Sequence, residues 1–541
     1  MKRLSILLAI LAASCCGTQT GPAFYTNPVL HLDYSDPDVC RSGEDYWMTA
    51  SSFNCFPGLP VLHSTDLVNW RLVGSALADY PVEEDFRNVV HHGKAVWAPS
   101  IRYHDGWYYI YVGDPDRGIF MVRSKDPAGA WEKPVWVVKE KGFIDPCPLW
   151  DDDGNAYLSH AAAGSRAGLK SIIFVAPMSP DGTRLTGPSR IVFDGHFTQP
   201  TIEGTKFYKR NGYYYIFAPA GGVATGWQTV LRSRSPWGPY EDRIVMAEAE
   251  GTINGPHQGA WVQTPKGADW FIHFQDKGAY GRIVHLQPMK WNADGWPLIG
   301  EDPDGDGVGQ PVKMWESPHG TAQNPVQEPA AIGPYGLSLD WQYPAVPSPY
   351  WHYALDDGGI RLFSAFQADN YRSLWDCPNI IQQKFAAENF TVTAHLVFRP
   401  NPALDGEQAG FAVMGKDYAA LRLTDTPVGA LLQYVECKDA SKGAEESATD
   451  ITLLKYSGTP ASVQLKVSLN VSARDTEGKV PDAVCTFTWD AGNGEKGEVP
   501  ASGFIARPGV WTGAKWGFFC NRFTPKNDSG SLDIVSIRRG L

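Results

Sequence analysis

Asp105-Gly106-Trp107-Tyr108 reads as a tight turn running into an aromatic strand, and the same reading recurs five times along the chain. The other four are Gly43-Glu44-Asp45-Tyr46-Trp47, Asp153-Gly154-Asn155-Ala156-Tyr157, Asn211-Gly212-Tyr213-Tyr214 and Lys266-Gly267-Ala268-Asp269-Trp270. Counted from Tyr46, Tyr108, Tyr157, Tyr214 and Trp270, the intervals are 62, 49, 57 and 56 residues. A repeat of that length, built of short strands and Asp-Gly or Asn-Gly turns, predicts propeller blades. Five units predict a five-bladed β-propeller, and with it an all-β protein. Ten to thirteen residues before each aromatic strand stands one chemically loaded residue: Asp36, Trp97, Asp145, Glu203 and His257. The innermost strand of every blade lines the axis, so residues at equivalent places are expected to converge there. Three carboxylates brought together in a partly desolvated funnel repel one another at real cost, which points to their use.

The 541 residues hold 43% hydrophobic and 20% charged side chains, with 20 Trp, 23 Tyr and 24 Phe, a globular composition with ample core material. A net charge of -12 works against binding nucleic acid, since that affinity rests on neutralising phosphates, and favours a neutral substrate. Residues 1–20 have the layout of an export signal. Met1-Lys2-Arg3 precedes the apolar run from Leu4 to Ala13, and small residues stand before Cys15. That layout predicts a periplasmic or cell-surface protein, and acylation of Cys15 would tether it to a membrane. Beyond residue 20 stand seven cysteines, widely spaced and with no Cys-x-x-Cys pair, so they read as small buried hydrophobes.

The propeller is expected over residues 26–313. Asp302-Pro303-Asp304-Gly305-Asp306-Gly307 has the look of a calcium loop without the downstream glutamate of an EF-hand, and reads as a sharp turn. Residues 314–349 are rich in Pro, Gly and Ala and read as a linker. From residue 350 to 541 short alternating stretches such as Phe390 to Phe398 predict a β-sandwich.

Hydrolysis of a glycosidic bond needs one carboxylic acid to protonate the leaving oxygen and one carboxylate on the other face. A third carboxylate beside the acid raises its proton affinity. Ser35-Asp36-Pro37-Asp38, Ile144-Asp145-Pro146 and Ile202-Glu203-Gly204, with Pro57-Gly58-Leu59-Pro60, Val96-Trp97-Ala98-Pro99 and Gly281-Arg282, resemble glycoside hydrolase family 43 over nearly the whole propeller. Pro378-Asn379-Ile380-Ile381-Gln382-Gln383-Lys384-Phe385 resembles the sandwich appended to many of its members. The resemblance implies that Asp36 is the general base, Glu203 the general acid and Asp145 the residue that orients and tunes the acid. It also implies inversion of configuration, with base and acid roughly 6.5 to 9.5 Å apart. Asp38 is the rival for the base, set aside as facing away from Asp36. Trp97 and Phe56 become candidate walls of the sugar site, each with core packing as its alternative, and Arg282 a candidate for holding a hydroxyl and pairing with a carboxylate. His257 matches a family histidine that helps hold an axial ion, often calcium, through water; simple hydrogen bonding is the alternative. The neighbours His91 and His92 read as a loop feature. No cofactor is required for the chemistry. The expected activity is exo-acting release of terminal α-L-arabinofuranosyl or β-D-xylosyl units from plant hemicellulose or its oligosaccharides. The alternatives are an endo-arabinanase-like enzyme and a noncatalytic carbohydrate-binding propeller.

Overall fold

Gly43, Gly106, Gly154, Gly212 and Gly267 carry φ values of +62°, +78°, +85°, +74° and +86°, the left-handed region that glycine enters without steric cost. Each closes a hairpin between the first two strands of a sheet. In the first sheet these are Asp38–Ser42 and Asp45–Thr49, followed by Gly58–Ser64 and Arg71–Leu77 in simple order. The computed structural model describes residues 22–77, 80, 86–248, 253–325, 332–333, 336–367, 370–478 and 480–541. Within it the pattern recurs as five four-stranded antiparallel sheets. Their first strands are Asp38–Ser42, Trp97–His104, Phe143–Trp150, Lys206–Arg210 and His257–Gln263. The first four of these strands pack side by side in turn, and the fifth packs against the second strand of the fourth sheet and returns to the first, closing a five-bladed propeller. The aromatic second strands, such as Trp107–Asp114, are buried almost throughout because each blade is covered on both faces.

The first strands share a second device. Asp36, Ala98, Asp145, Gly204 and Gln258 have φ values of +55°, +31°, +57°, +66° and +37°. The ladder skips at three of them, between Trp97 and Ser100, Ile144 and Cys147, and His257 and Gly259. Every blade therefore enters the axis through one left-handed kink. Asp36 and Asp145 sit on that kink, whereas Trp97, Glu203 and His257 stand one residue before it. The five loaded residues are neighbours of one structural position, which corrects the expectation that all occupy it.

The remainder forms two seven-stranded sheets packed as a sandwich. Strand Val463–Arg474 alternates buried and exposed positions along its first nine residues, the period-two pattern of a half-buried strand. Phe411 and Phe518 stack 4.7 Å apart in the core. Helix is confined, among the described residues, to Gly164–Ala167 and single 3-10 turns. The stretch expected to be a linker begins as a strand, Met314–Glu316, paired with Phe24–Thr26. Farther on, Tyr343 exchanges backbone hydrogen bonds with Phe56, and Gln342 with Gln382, so this segment ties the first blade to the sandwich. The seven cysteines from Cys40 to Cys520 are buried and unpaired. Residues 1–20, with Cys15, lie outside the described residues.

Candidate active site

Asp36 is 4% exposed and held from three sides. Ser35 Oγ and Ser51 Oγ donate to its Oδ2 at 2.9 and 2.6 Å, and Arg282 Nη1 stands 3.3 Å from Oδ1. Ser51 Oγ in turn accepts the backbone N–H of Ala98 at 2.7 Å, which locks the first blade to the second at the kink. Residues two apart on an extended strand share a face, so alternation is not what separates Asp36 from Asp38. The kink at Asp36 does that. Asp38 is fully buried below it, where its Oδ2 accepts from Arg102 Nη1 at 2.7 Å and Ile101 N at 2.6 Å. It is the counter-ion of the part-buried Arg102, a structural pair.

Asp145 is 2% exposed, and its Oδ2 accepts the backbone N–H of Gly204 at 2.6 Å. The Thr205 hydroxyl donates to the Asp145 carbonyl at 2.8 Å, so the residues after Glu203 are bolted to Asp145. Glu203 keeps partial exposure, with its own N–H given to Pro219. Burial first, then the charges of Asp145 and Asp36, push its carboxyl up to about 8, against the weaker pull of Arg282 and Lys170. Burial also raises Asp145, to about 7; the Gly204 N–H opposes the rise, the charge of Asp36 adds to it, and Lys206 opposes it more weakly. Of these two interacting acids, Glu203 is the one that keeps its proton. A glutamic acid whose proton is favoured by burial and by the charges of Asp145 and Asp36, with Asp36 itself fixed by two hydroxyls, has the parts of a general acid and a general base.

Arg282 is 6% exposed. Its Nη1 also donates to Ser35 Oγ at 2.7 Å, and its guanidinium lies 4.8 Å from the Phe274 ring centre. Its backbone N–H donates to Asp33 Oδ1 at 2.9 Å. Trp97 is half-buried, fixed by its indole N–H on the Gly93 carbonyl at 2.7 Å, with Arg166 over its ring at 5.5 Å. Phe56 is different. At 2% exposure it packs against Tyr80 and Phe86 in the core between the first two blades, which corrects its expected place in the sugar wall.

The sandwich contributes a wall of its own. Trp511, 47% exposed, meets Trp97 edge to face at 5.8 Å and lies 5.6 Å from the Arg282 guanidinium. Its φ of +64° is a strained state for a bulky residue, maintained by the loop around it. Gly513 N donates to Asp33 Oδ2 at 2.9 Å and Ala514 N to the Ala279 carbonyl at 2.7 Å. A Cβ on Gly513 would come within 2.7 Å of the Gly281 backbone, so only glycine allows this approach. His92 stacks on Trp375 of the sandwich at 3.5 Å and donates Nε2–H to its carbonyl at 2.8 Å, making the His91-His92 loop a domain junction.

His257 is fully buried, and neither ring nitrogen has a hydrogen-bond partner among the described residues. Burial and then Arg282 push its pKa down to about 3, so the ring is neutral and offers a lone pair. That is the form that accepts from a water or faces an ion. Asp302, Asp304 and Asp306 bring carboxylate oxygens within 4.8 Å of one another, and Asp302 also accepts the N–H groups of Gly305 and Gly307 in the manner of a turn. Sequence reasoning missed Ser51, Asp33 and Trp511. Ser35 at least stood inside the Ser-Asp-Pro motif.

The family description "Glycosyl hydrolases family 43" matches residues 25–297, and "Beta xylosidase C-terminal Concanavalin A-like domain" matches residues 334–536. A Xylanibacter ruminicola protein bearing a provisional beta-xylosidase name is 41% identical over 366 residues, 67% of this chain and 66% of that one. The chain thus spans just under two thirds of that relative's length. The Bacteroides ovatus protein "Non-reducing end alpha-L-arabinofuranosidase BoGH43B" is 31% identical over 432 residues, 76% of this chain and 78% of its own. The solved structure "Bacteroides ovatus Xyloglucan PUL GH43B" superposes with a TM-score of 0.77 at 25% identity, covering 96% of this chain and 99% of the other.

Proposed function

The chain belongs to glycoside hydrolase family 43, and from that membership we propose that it is an exo-acting, inverting hydrolase of terminal pentosyl units. The observation that carries this reading is the pairing of a proton-retaining Glu203 with Asp36, a carboxylate oriented by Ser35, Ser51 and Arg282. Asp36 activates a water as general base, and Glu203 delivers its proton to the departing oxygen. Asp145 holds Glu203 protonated and, through Gly204, in place. Both catalytic groups are carboxyl side chains, so the chemistry calls on no cofactor.

Trp97 and Trp511 supply apolar faces for a small sugar, and the Trp511 loop closes one side of the site, which supports release of single terminal units over cleavage within a chain. The substrates are α-L-arabinofuranosides and β-D-xylosides of plant hemicellulose or its oligosaccharides. These sugars present similar hydroxyl patterns, and one pocket accepting both is consistent with relatives named for either activity. The unpartnered His257 supports a structural ion at the axis, with calcium as the candidate. Residues 1–20 support export and acylation at Cys15, which labelling with a radioactive fatty acid would test.

The test of the activity is hydrolysis of para-nitrophenyl α-L-arabinofuranoside and β-D-xylopyranoside side by side, with the product anomer followed by NMR. Turnover of either with inversion by the native chain, and its loss in Glu203→Gln, is the expected outcome. No turnover of either glycoside would overturn the proposal.

A further inference from the structure

A cleft of about 870 Å³ lies away from the carboxylates, between the sandwich, residues 348–353 and the loop 88–90 of the propeller. Three aromatic side chains line it in the open: Tyr350, Tyr353 and Phe366 are 81%, 54% and 41% exposed. Grouped exposed aromatics of this kind mark a binding surface, and the volume falls within the roughly 300 to 1,000 Å³ of ligand sites. Its lining also includes polar side chains, among them Asn370, Arg522 and Asn527, which offer donors and acceptors. Exposed rings together with amide and guanidinium groups suit a ligand with apolar ring faces and a hydroxylated rim.

The cleft shares a loop with the sugar site. Val90 lines it, and Gly93, whose carbonyl fixes the Trp97 indole, is three residues farther along the same loop. Three residues span at most about 11 Å. The loop that shapes the sugar wall on one side is therefore a wall of the cleft on the other.

We propose that this cleft binds the body of the polymer, a neutral chain of linked pentoses, while its nonreducing end occupies the pocket. The inference rests on the pentosidase reading for the identity of the chain. Tyr350 and Tyr353 act as stacking platforms, and the strongly negative net charge disfavours a polyanionic occupant.

The test uses the full chain with Tyr350→Ala and Tyr353→Ala combined, and Tyr→Phe at both positions as the conservative control. On para-nitrophenyl β-xyloside, whose single sugar has no polymer body to place in the cleft, kcat/KM should stay within about twofold of native. On xylohexaose KM should rise roughly tenfold, as expected for loss of two aromatic contacts, and the Phe variant should restore it. In a Glu203→Gln background, native gels containing soluble arabinoxylan should retard the parent and not the Ala variant. Equal retardation of parent and Ala variant, with unchanged KM on xylohexaose, overturns the proposal. So does a change from dimer to monomer in the Ala variant with retardation unaffected, which would make the face a contact between copies. If the native chain hydrolyses neither substrate, the pentosidase reading fails; the gel shift, which needs no turnover, still decides whether the cleft binds pentose polymer.

Discussion

Replacing Asp145 by Asn tests how the acid keeps its proton. In the native site burial raises both carboxyls of the interacting pair Asp145 and Glu203, and Glu203 is raised further by the charges of Asp145 and Asp36. Burial is the largest cause of the rise from 4.5, and the Asp145 charge is the next. Asn keeps the shape and removes that charge, leaving burial and Asp36. A neighbouring like charge is worth about one to a few pKa units, so a fall of about one unit is expected, equivalent to about 1.4 kcal/mol of differential stabilisation. The sign follows from the role. In the proposed role Glu203 works protonated, so activity disappears as pH rises through its pKa, and lowering that pKa moves the alkaline limb to lower pH. The assay is kcat/KM on xylobiose from pH 5 to 9.5, which reports the free enzyme. The control is circular dichroism across the same range. An alkaline limb that stays in place or moves upward would refute both the tuning role of Asp145 and the placement of the proton on Glu203.

Trp511→Ala should raise KM on aryl pentosides severalfold, since it removes the exposed ring proposed as one apolar face of the sugar site, a stacking contact worth about 0.5 to 1.5 kcal/mol. Its melting temperature should change little, because the ring is half exposed; steady-state kinetics beside calorimetry separates the two effects. Ser51→Ala strands the buried N–H of Ala98 and removes a donor from Asp36, so urea denaturation should show about 1 to 3 kcal/mol of lost stability together with reduced kcat. Phe56→Ala should cost about 3 to 5 kcal/mol of stability in the same measurement, the mark of a core ring, with KM unchanged in whatever fraction remains folded.

The blades were legible because their turns demand glycine at a left-handed φ, and that demand repeats at Gly43, Gly106, Gly154, Gly212 and Gly267. The acids were legible because each stands a nearly fixed distance before such a turn. The one-residue offset between Asp145 and Glu203 was not, since a kink alters which way a strand faces without altering its spacing. Phe56 was misplaced for a related reason: an aromatic beside a site and one beneath it look alike in a sequence, and only burial tells them apart. Trp511 left no sequence signal at all. It lies more than four hundred residues from Trp97, and what brings them together is the docking of Gly513 against Gly281.

That docking gives catalysis a different thermal signature from folding. One wall of the pocket belongs to a sandwich with its own core, while the carboxylates belong to the propeller, so the two can be lost in separate events. Slight loosening of the junction would carry Trp511 off Arg282 and Trp97 before any blade opens. Activity on warming should then fade ahead of the calorimetric transition of the propeller and return on cooling, so that the enzyme switches itself off reversibly well below the temperature at which it unfolds.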